Sequence, residues 1–211
     1  MIVSSQEIDA RRTTMKRAIL LAPCVPVLVL AALVVLVPAY SQDKPAQREP
    51  DVIYVPTPQE VVDKMFELAD VRPGEIVYDL GCGDGRIPVT AAKKFGSRAW
   101  GFDINPVRVR ESLENVKKNR VENLVTIKQQ DIFELDLSKA DVVTLYLLPR
   151  LNVKLIPQLD KLKPGCRIVS HDFNMEGVRP KREINFRPSD GSREHRVYLW
   201  VTPLEKESPG R

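Results

Sequence analysis

Cysteine and histidine are scarce in this chain of 211 residues, which has three cysteines and two histidines. Cys24, Cys82 and Cys166 stand far apart and suggest no pair, so a framework of disulfide bonds is not expected. His171 and His195 have no clustered cysteines around them, and the sequence therefore predicts no zinc site and no other metal.

A strong excess of one charge is also missing. The net charge is +4, and the first 41 residues account for half of it, with four basic residues against two acidic ones. The rest of the chain is close to balanced and lacks the broad basic surface on which many nucleic-acid binding proteins depend. We therefore expect no nucleic-acid partner.

One long apolar run is present. Residues 18–40 carry no charge and follow a basic flank, which predicts a signal peptide or a transmembrane anchor over residues 1–41. The small residues around Tyr40 are compatible with cleavage, and both interpretations stay open. The domain is then membrane-associated, or exported or periplasmic if the segment is removed. Residues 42–52 are polar and contain proline, as in a linker, and we expect a disordered tail over residues 204–211.

Between these segments, residues 53–203 alternate strand and helix patterns. The sequence predicts a helix that begins with a capping box at Thr57, followed by five strands with helices between them, and then two strands with no helix between them. The fold class is α/β, a Rossmann-like doubly wound and mostly parallel sheet with a C-terminal antiparallel hairpin. The predicted strands are 76–80, 98–102, 124–128, 141–147, 166–171, 183–187 and 195–201, and the helices between them are 84–94, 106–119 and 150–162.

A glycine-rich turn follows the first strand. Asp79, Gly81, Gly83 and Gly85 stand at alternate positions, whereas a dinucleotide fingerprint would need its third glycine where Arg86 stands. Glycines let the backbone lie against a ligand, and the following helix offers free N–H groups to a carboxylate. The second strand runs into Asp103, whose carboxylate can accept hydrogen bonds from two ribose hydroxyls. This unit predicts a site for an adenosine-containing cofactor without a 2′-phosphate.

The spacing of these residues resembles motif I of the class I, seven-strand S-adenosylmethionine-dependent methyltransferases. Over about residues 51–187 the chain also resembles the ATP synthase c-subunit lysine methyltransferase group and its uncharacterised bacterial relatives. That second resemblance rests on the motifs Tyr54-Val55-Pro56-Thr57-Pro58, Leu145-Tyr146-Leu147-Leu148-Pro149 and Ser170-His171-Asp172-Phe173. It implies a seven-stranded sheet, S-adenosylmethionine as cofactor and a protein lysine as substrate.

The resemblance also implies roles for single residues. Asp131 would accept from the adenine amino group, with Ile132 beside the ring, although an acidic cap explains Asp131 as well. Tyr146 would orient the acceptor or simply pack at a strand end, and His171 would accept a proton or be structural. The predicted cofactor-binding residues are Tyr54, Thr57, Asp79, Gly81, Gly83, Gly85, Asp103, Asp131 and Ile132, and the predicted catalytic residues are Tyr146 and His171.

Protein-lysine methylation is thus the expected function. Methylation of a small molecule or lipid is an alternative, as is a membrane-tethered module that binds the cofactor without turnover. The sequence indicates neither the acceptor protein nor the oligomeric state.

Overall fold

The computed structural model describes residues 54–207. The predicted signal or anchor segment and the linker lie outside this range, and no helix within it is long and apolar enough to cross a membrane. Four helices and seven strands follow one another: α1 (Gln59–Leu68), β1 (Ile76–Leu80), α2 (Arg86–Phe95), β2 (Arg98–Asp103), α3 (Pro106–Asn119), β3 (Val125–Gln129), β4 (Val142–Leu145), α4 (Pro149–Leu159), β5 (Arg167–His171), β6 (Arg182–Phe186) and β7 (His195–Val201).

The strands form one seven-stranded sheet in the order β3-β2-β1-β4-β5-β7-β6. The first five strands of the chain pair in parallel, whereas β7 is antiparallel to both β5 and β6. The predicted α/β class and the terminal hairpin are confirmed. Because the strand order reverses between β1 and β4, a crevice opens at their carboxyl ends, where doubly wound folds bind their ligands.

Helices cover both faces of the sheet. Because the central strands are therefore buried on both sides, their sequences are continuous apolar runs. On one face, buried residues of α1, α2 and α3 pack against Val77, Ala99 and Val169. On the other face, Leu151, Leu155 and Leu159 of α4 pack with strand residues and the fully buried Trp200. The alternation of side chains along each strand supplies both cores from the same segments.

The predicted capping box at Thr57 is not formed. Helix α1 begins after Pro58, and no side chain caps its first turn. The Thr57 hydroxyl instead lies 3.1 Å from His171 Nδ1, more than a hundred residues away in the sequence. The Thr57 hydroxyl therefore contacts a residue distant in the sequence and, contrary to the prediction from the local pattern, does not cap the helix.

Several predicted boundaries also move. Helix α2 begins at Arg86 rather than residue 84, because Gly85 is left-handed, with a φ of 75°. Strand β4 ends at Leu145, since the chain must turn before Pro149 begins α4. Residues 204–207, predicted as tail, are tied to the domain by a bridge between Val178 and Lys206 and by the packing of Leu204.

Candidate functional site

A cleft of about 930 Å³, open to solvent, lies at the carboxyl ends of β1, β2 and β4. The end of β1, the glycine loop, the segment before α1 and the turn after β3 contribute to its walls. Its lining residues include Tyr54, Thr57, Asp79, Gly81, Asp84, Arg86, Asp103, Arg108, Asp131, Ile132, Tyr146 and Leu147. The cleft thus collects residues from five separate stretches of sequence at the place where the topology predicts a ligand.

The glycine loop runs from Gly81 to Gly85, and its backbone is fixed to the neighbouring strand. The N–H groups of Gly81 and Cys82 both donate to the carbonyl of Phe102, at 2.8 and 2.9 Å. Gly83 has a φ of 56°, and a Cβ there would lie 2.1 Å from the Tyr54 ring. The loop therefore needs glycine at this position for conformation and for space.

Asp79 is the next-to-last residue of β1 and is buried, with only 2% of its surface exposed. Thr144 Oγ1 donates to its Oδ1 at 2.6 Å, while Oδ2 is buried and has no hydrogen-bond partner within residues 54–207. Burial raises the pKa of Asp79 to about 7, and the neighbouring carboxylates Asp103 and Asp84 add to that increase. An unpartnered carboxylate oxygen at the cleft fits a ligand that brings a cation, such as the methionyl ammonium of the expected cofactor.

Asp103 occupies the end of β2, as predicted. Its Oδ2 accepts from the N–H of Gly83 at 3.0 Å, and its Oδ1 accepts from the N–H of Asn105 at 2.9 Å. Burial raises the pKa of this carboxyl despite those two bonds. The carboxylate clamps the glycine loop and keeps further lone pairs for ligand hydroxyls.

Tyr54 covers the glycine loop from the segment before α1. The guanidinium of Arg108 lies 4.6 Å from the centre of its ring, and its hydroxyl interacts with Asp84. Burial, followed by the negative charge of Asp84, raises the pKa of Tyr54 to about 12. The phenol therefore stays protonated and donates a hydrogen bond.

An ion pair between Arg86 and Asp84 supports the position of Tyr54 over the glycine loop. The guanidinium of Arg86 contacts both carboxylate oxygens of Asp84, and its Nη1 donates to the carbonyl of Thr57 at 2.8 Å. Burial by itself would raise the pKa of Asp84, but the bonds from Arg86 outweigh it and hold that pKa below its usual value. Arg86 thus joins the start of α2 to the segment that carries Tyr54.

Asp131 and Ile132 line the cleft on the far side of Asp103. The Asp131 side chain accepts from the N–H of Phe133 at 2.9 Å and so caps the short 3₁₀ turn at Ile132–Glu134. The capping interpretation of Asp131 is confirmed, and its place in the wall of the cleft leaves the adenine contact a prediction.

A second group of side chains, here termed the histidine cluster, contains His171, Asp172, Arg193 and His195. His171 Nε2 lies 2.8 Å from His195 Nδ1, and the Asp172 carboxylate lies 3.2 Å from His171 and 3.5 Å from His195. Arg193 donates to the same Asp172 oxygen. The two histidines, which no local pattern connects, are thus neighbours beside a carboxylate.

His171 is completely buried, and burial lowers its pKa to about 4. A neutral imidazole is therefore held between Thr57 and His195 at neutral pH, which supports the structural interpretation of His171. Tyr146 stacks on His171 with ring centres 3.9 Å apart, and Phe173 lies on Tyr146 at 5.8 Å. Tyr146 is the residue that connects this cluster with the cleft, because it lines both the cleft and a second cavity above the cluster.

Most of the predicted cofactor residues meet in one place. Tyr54, Thr57, Asp79, Gly81, Asp103, Asp131 and Ile132 all line the cleft, and Gly83 lies under the Tyr54 ring. Gly85 differs: a Cβ there would lie 3.0 Å from Ser112 of α3, so this glycine serves helix packing. Arg108 was missed, because a single arginine on a helix carries no signal in the sequence.

Comparisons with known proteins agree with this geometry. Residues 79–182 match the model of the ANTKMT methyltransferase domain. A protein-lysine N-methyltransferase of Saccharolobus islandicus (strain REY15A) is 51% identical over 154 residues, which are 72% of this chain and 94% of that protein. A ribosomal protein L11 methyltransferase of Caldanaerobacter subterraneus is 38% identical over 89 residues, 42% of this chain but only 28% of that protein.

A solved structure is similar along nearly its whole length. It is a crystal structure of an RNA methyltransferase from Salinibacter ruber in complex with S-adenosyl-L-homocysteine, with 46% sequence identity and a TM-score of 0.66. The match covers 74% of this chain and 98% of that one. The predicted cofactor is thereby confirmed, since this relative binds its demethylated form.

Proposed function

Because this chain belongs to the class I S-adenosylmethionine-dependent methyltransferases with the ANTKMT methyltransferase domain, we propose that it methylates lysine side chains of a protein. One observation carries the choice of lysine: the 51% identity that extends over 94% of a protein-lysine N-methyltransferase. The end of β4 agrees with this choice. It reads Tyr146-Leu147-Leu148-Pro149 and departs from the Asp/Asn-Pro-Pro-Tyr form associated with methylation of adenine bases and glutamine.

The residues of the cleft hold the cofactor, which supplies a methyl group on a positively charged sulfur. Asp79 would hold the amino-acid end through Oδ2, which has no hydrogen-bond partner within residues 54–207, Asp103 would accept from the ribose hydroxyls, and Tyr54 would close the site above the glycine loop. These contacts fix the cofactor and exclude water, so that positioning provides most of the rate increase. Holding the cofactor and excluding water require no catalytic base inside the cleft.

The acceptor approaches from the side of Tyr146. A lysine side chain must arrive as a neutral amine, whose lone pair forms the new N–C bond while the S–C bond breaks, and the proton leaves to solvent beforehand. Tyr146 and Phe173 present stacked aromatic rings along this path. A partly apolar surrounding lowers the pKa of a lysine and so favours the neutral amine.

RNA is the second candidate acceptor, because the 46% identical structure is described as an RNA methyltransferase. The near-balanced charge of residues 42–211 speaks against it, since RNA binding is driven largely by phosphate contacts. None of the three relatives described above is named as a methyltransferase of lipids or small molecules.

The test uses the full chain in mild detergent, with cofactor labelled in its methyl group and a cell extract as acceptor. We expect label in material that protease removes and nuclease does not, with methylated lysine after acid hydrolysis. Label lost on nuclease treatment would establish the RNA alternative instead. The variant Asp103→Ala, which should not bind cofactor, is the control for background labelling.

Membrane association is a separate part of the proposal, supported by the uncharged run at residues 18–40 and its basic flank. Expression of the full chain followed by membrane fractionation tests it. Deletion of residues 1–41 should move the protein to the soluble fraction, and equal amounts in both fractions for both chains would contradict the proposal.

A further inference from the structure

A shallow pocket, open to solvent and of about 670 Å³ including that open space, shares Tyr146 with the cofactor cleft. The other residues around it come from the ends of β5, β6 and β7 and from the loop before β7. They are Asp172, Phe173, Asn185, Arg193, Glu194, His195 and Arg196. Tyr146 is the residue that lines both this pocket and the cofactor cleft.

The carboxylate of Asp172 is held rigidly in this cavity. Its backbone N–H donates to the carbonyl of Arg196 at 2.7 Å, and its Oδ1 accepts from the N–H of Arg196 at 3.0 Å. The residue has a φ of 58°, a strained conformation for a residue other than glycine, of a kind that tends to occur at functional sites. Next in the chain, the carbonyl of Phe173 accepts from Ser170 Oγ at 2.7 Å and from Asn152 Nδ2 at 3.2 Å.

The cation on this carboxylate is held much less firmly. Arg193 belongs to the exposed loop between β6 and β7, and 59% of its side chain is accessible, against 12% for Asp172. Its guanidinium contacts Asp172 Oδ2, the oxygen that also faces the two histidines, and interacts with the hydroxyl of Tyr146. Arg193 therefore places a positive charge at the junction between the cavity and the cleft.

We propose that Asp172 is the residue that binds the ammonium group of the substrate lysine, and that Arg193 occupies this position until the substrate displaces it. The inference rests on the proposed lysine specificity and extends it to the residues that recognise the side chain. An exposed ion pair is worth little, so its exchange for another cation costs little. The bound ammonium gives up its proton to solvent before methylation, and the partly apolar rings of Tyr146 and Phe173 beside the carboxylate favour the neutral amine.

The exchange makes Arg193 a competitor of the substrate. Its removal should strengthen the binding of lysine, whereas the removal of Asp172 should weaken it. The effect of Arg193 must also depend on Asp172: once the carboxylate is gone, there is nothing for which the two cations compete. A merely structural ion pair would give the opposite sign for Arg193.

The experiment measures binding to the full chain in mild detergent, saturated with S-adenosylhomocysteine. The probe is the peptide acetyl-Gly-Lys-Gly-amide, with the norleucine peptide as its uncharged match, followed by nuclear magnetic resonance titration. For Asp172→Asn we expect about tenfold weaker binding of the lysine peptide and no change for the norleucine peptide. For Arg193→Ala we expect binding several-fold tighter, and no such gain when Asp172→Asn is also present.

Arg179→Ala is the matched control, since it removes an exposed arginine that pairs with Glu205 away from the cavity. Calorimetry of S-adenosylhomocysteine should give the same affinity for all variants and so verify their folding. Weaker lysine binding in Arg193→Ala, or equal binding of the two peptides by the unaltered protein, would overturn the proposal. So would zinc held by His171, Asp172 and His195 in the purified protein, because these donors lie close enough together for a metal.

Failure of the proposed function would look different. If the lysine peptide binds through Asp172 but no lysine is ever methylated, the site is correct and the assignment of lysine as acceptor is not. If lysine is methylated with unchanged peptide affinity in Asp172→Asn and Arg193→Ala, the function stands and this inference fails.

Discussion

The cofactor cleft and the histidine cluster are built in opposite ways. The cleft takes Asp79, the glycine loop and Asp103 from one continuous unit, β1 to β2, in which Asp79 and Asp103 stand 24 residues apart. The histidine cluster joins the end of β5 to the start of β7, and its hydrogen bonds reach back to Thr57 in front of α1. A local motif can be recognised from its spacing, whereas a cluster assembled by strand pairing cannot.

Folding also changes proton binding in opposite directions in the two regions. In the cleft, burial raises the pKa of Asp79 to about 7, so the folded chain holds a proton that the unfolded chain releases. In the histidine cluster, burial lowers the pKa of His171 from 6.5 to about 4. Between these pH values the unfolded chain binds a proton that the folded chain does not bind. The same desolvation thus gives the two regions opposite pH dependences.

The largest effect expected on ligand affinity concerns cofactor binding. Gly83→Val should weaken the affinity for S-adenosylhomocysteine by about 100-fold, or roughly 2.7 kcal/mol, since its side chain collides with the Tyr54 ring in a left-handed backbone. Gly96→Val is the matched control, with a φ of 61° and open space around the added Cβ. It should lose stability but keep its affinity, as calorimetry would show. Equal losses of affinity would mean that the glycine loop is not the site.

The next effect concerns Asp79 without cofactor. Its folded pKa lies above the unfolded value, so its stabilisation is complete below about pH 4 and is lost as the pH rises to about 7. Relative to Asp79→Asn, the unaltered protein should therefore lose roughly 2–4 kcal/mol of unfolding free energy over that range. Urea denaturation at several pH values measures it. Parallel pH profiles for the two proteins would contradict a protonated Asp79.

His171 should show the reverse sign. Its folded pKa lies below the unfolded value, so its contribution is present above about pH 6.5 and is lost as the pH falls towards 4. Relative to His171→Asn, the unaltered protein should gain roughly 2–3 kcal/mol between pH 4 and pH 6.5. The same denaturation series measures this difference in unfolding free energy. If the differences measured against Asp79→Asn and against His171→Asn changed with pH in the same direction, the contrast between the two regions would be contradicted.

The smallest effect tests the connection between the regions. Thr57→Val leaves the buried His171 Nδ1 without its partner and should cost about 1–2 kcal/mol of stability. Thr57→Ser keeps the hydroxyl and should cost less. Because Thr57 also lines the cleft, affinity for S-adenosylhomocysteine is measured beside stability. An unchanged stability in Thr57→Val would show that the bond is not made in solution.

The outcome of the sequence predictions follows the same division. The sheet class, the hairpin and the places of Asp79, Gly81, Gly83 and Asp103 could be predicted, because hydrophobic periodicity and glycine spacing are local. The capping role of Thr57 was wrong, since a buried tertiary partner took its hydroxyl. Of the predicted tail, residues 208–211 lie outside the described residues, while Leu204 and Lys206 contact parts of the chain distant in sequence.

The sequence by itself determined the alternation of strands and helices, and with it the crevice and the acids that line it. Those features depend on side chains a few residues apart, whose geometry the backbone periods dictate. Only the tertiary structure decided that His171, Asp172, Arg193 and His195 meet, that Arg108 lies over Tyr54, and that Asp79 is buried deeply enough to hold a proton. Their proximity and desolvation arise from the pairing of β5 with β7 and the closure of the entry segment, which no local pattern encodes.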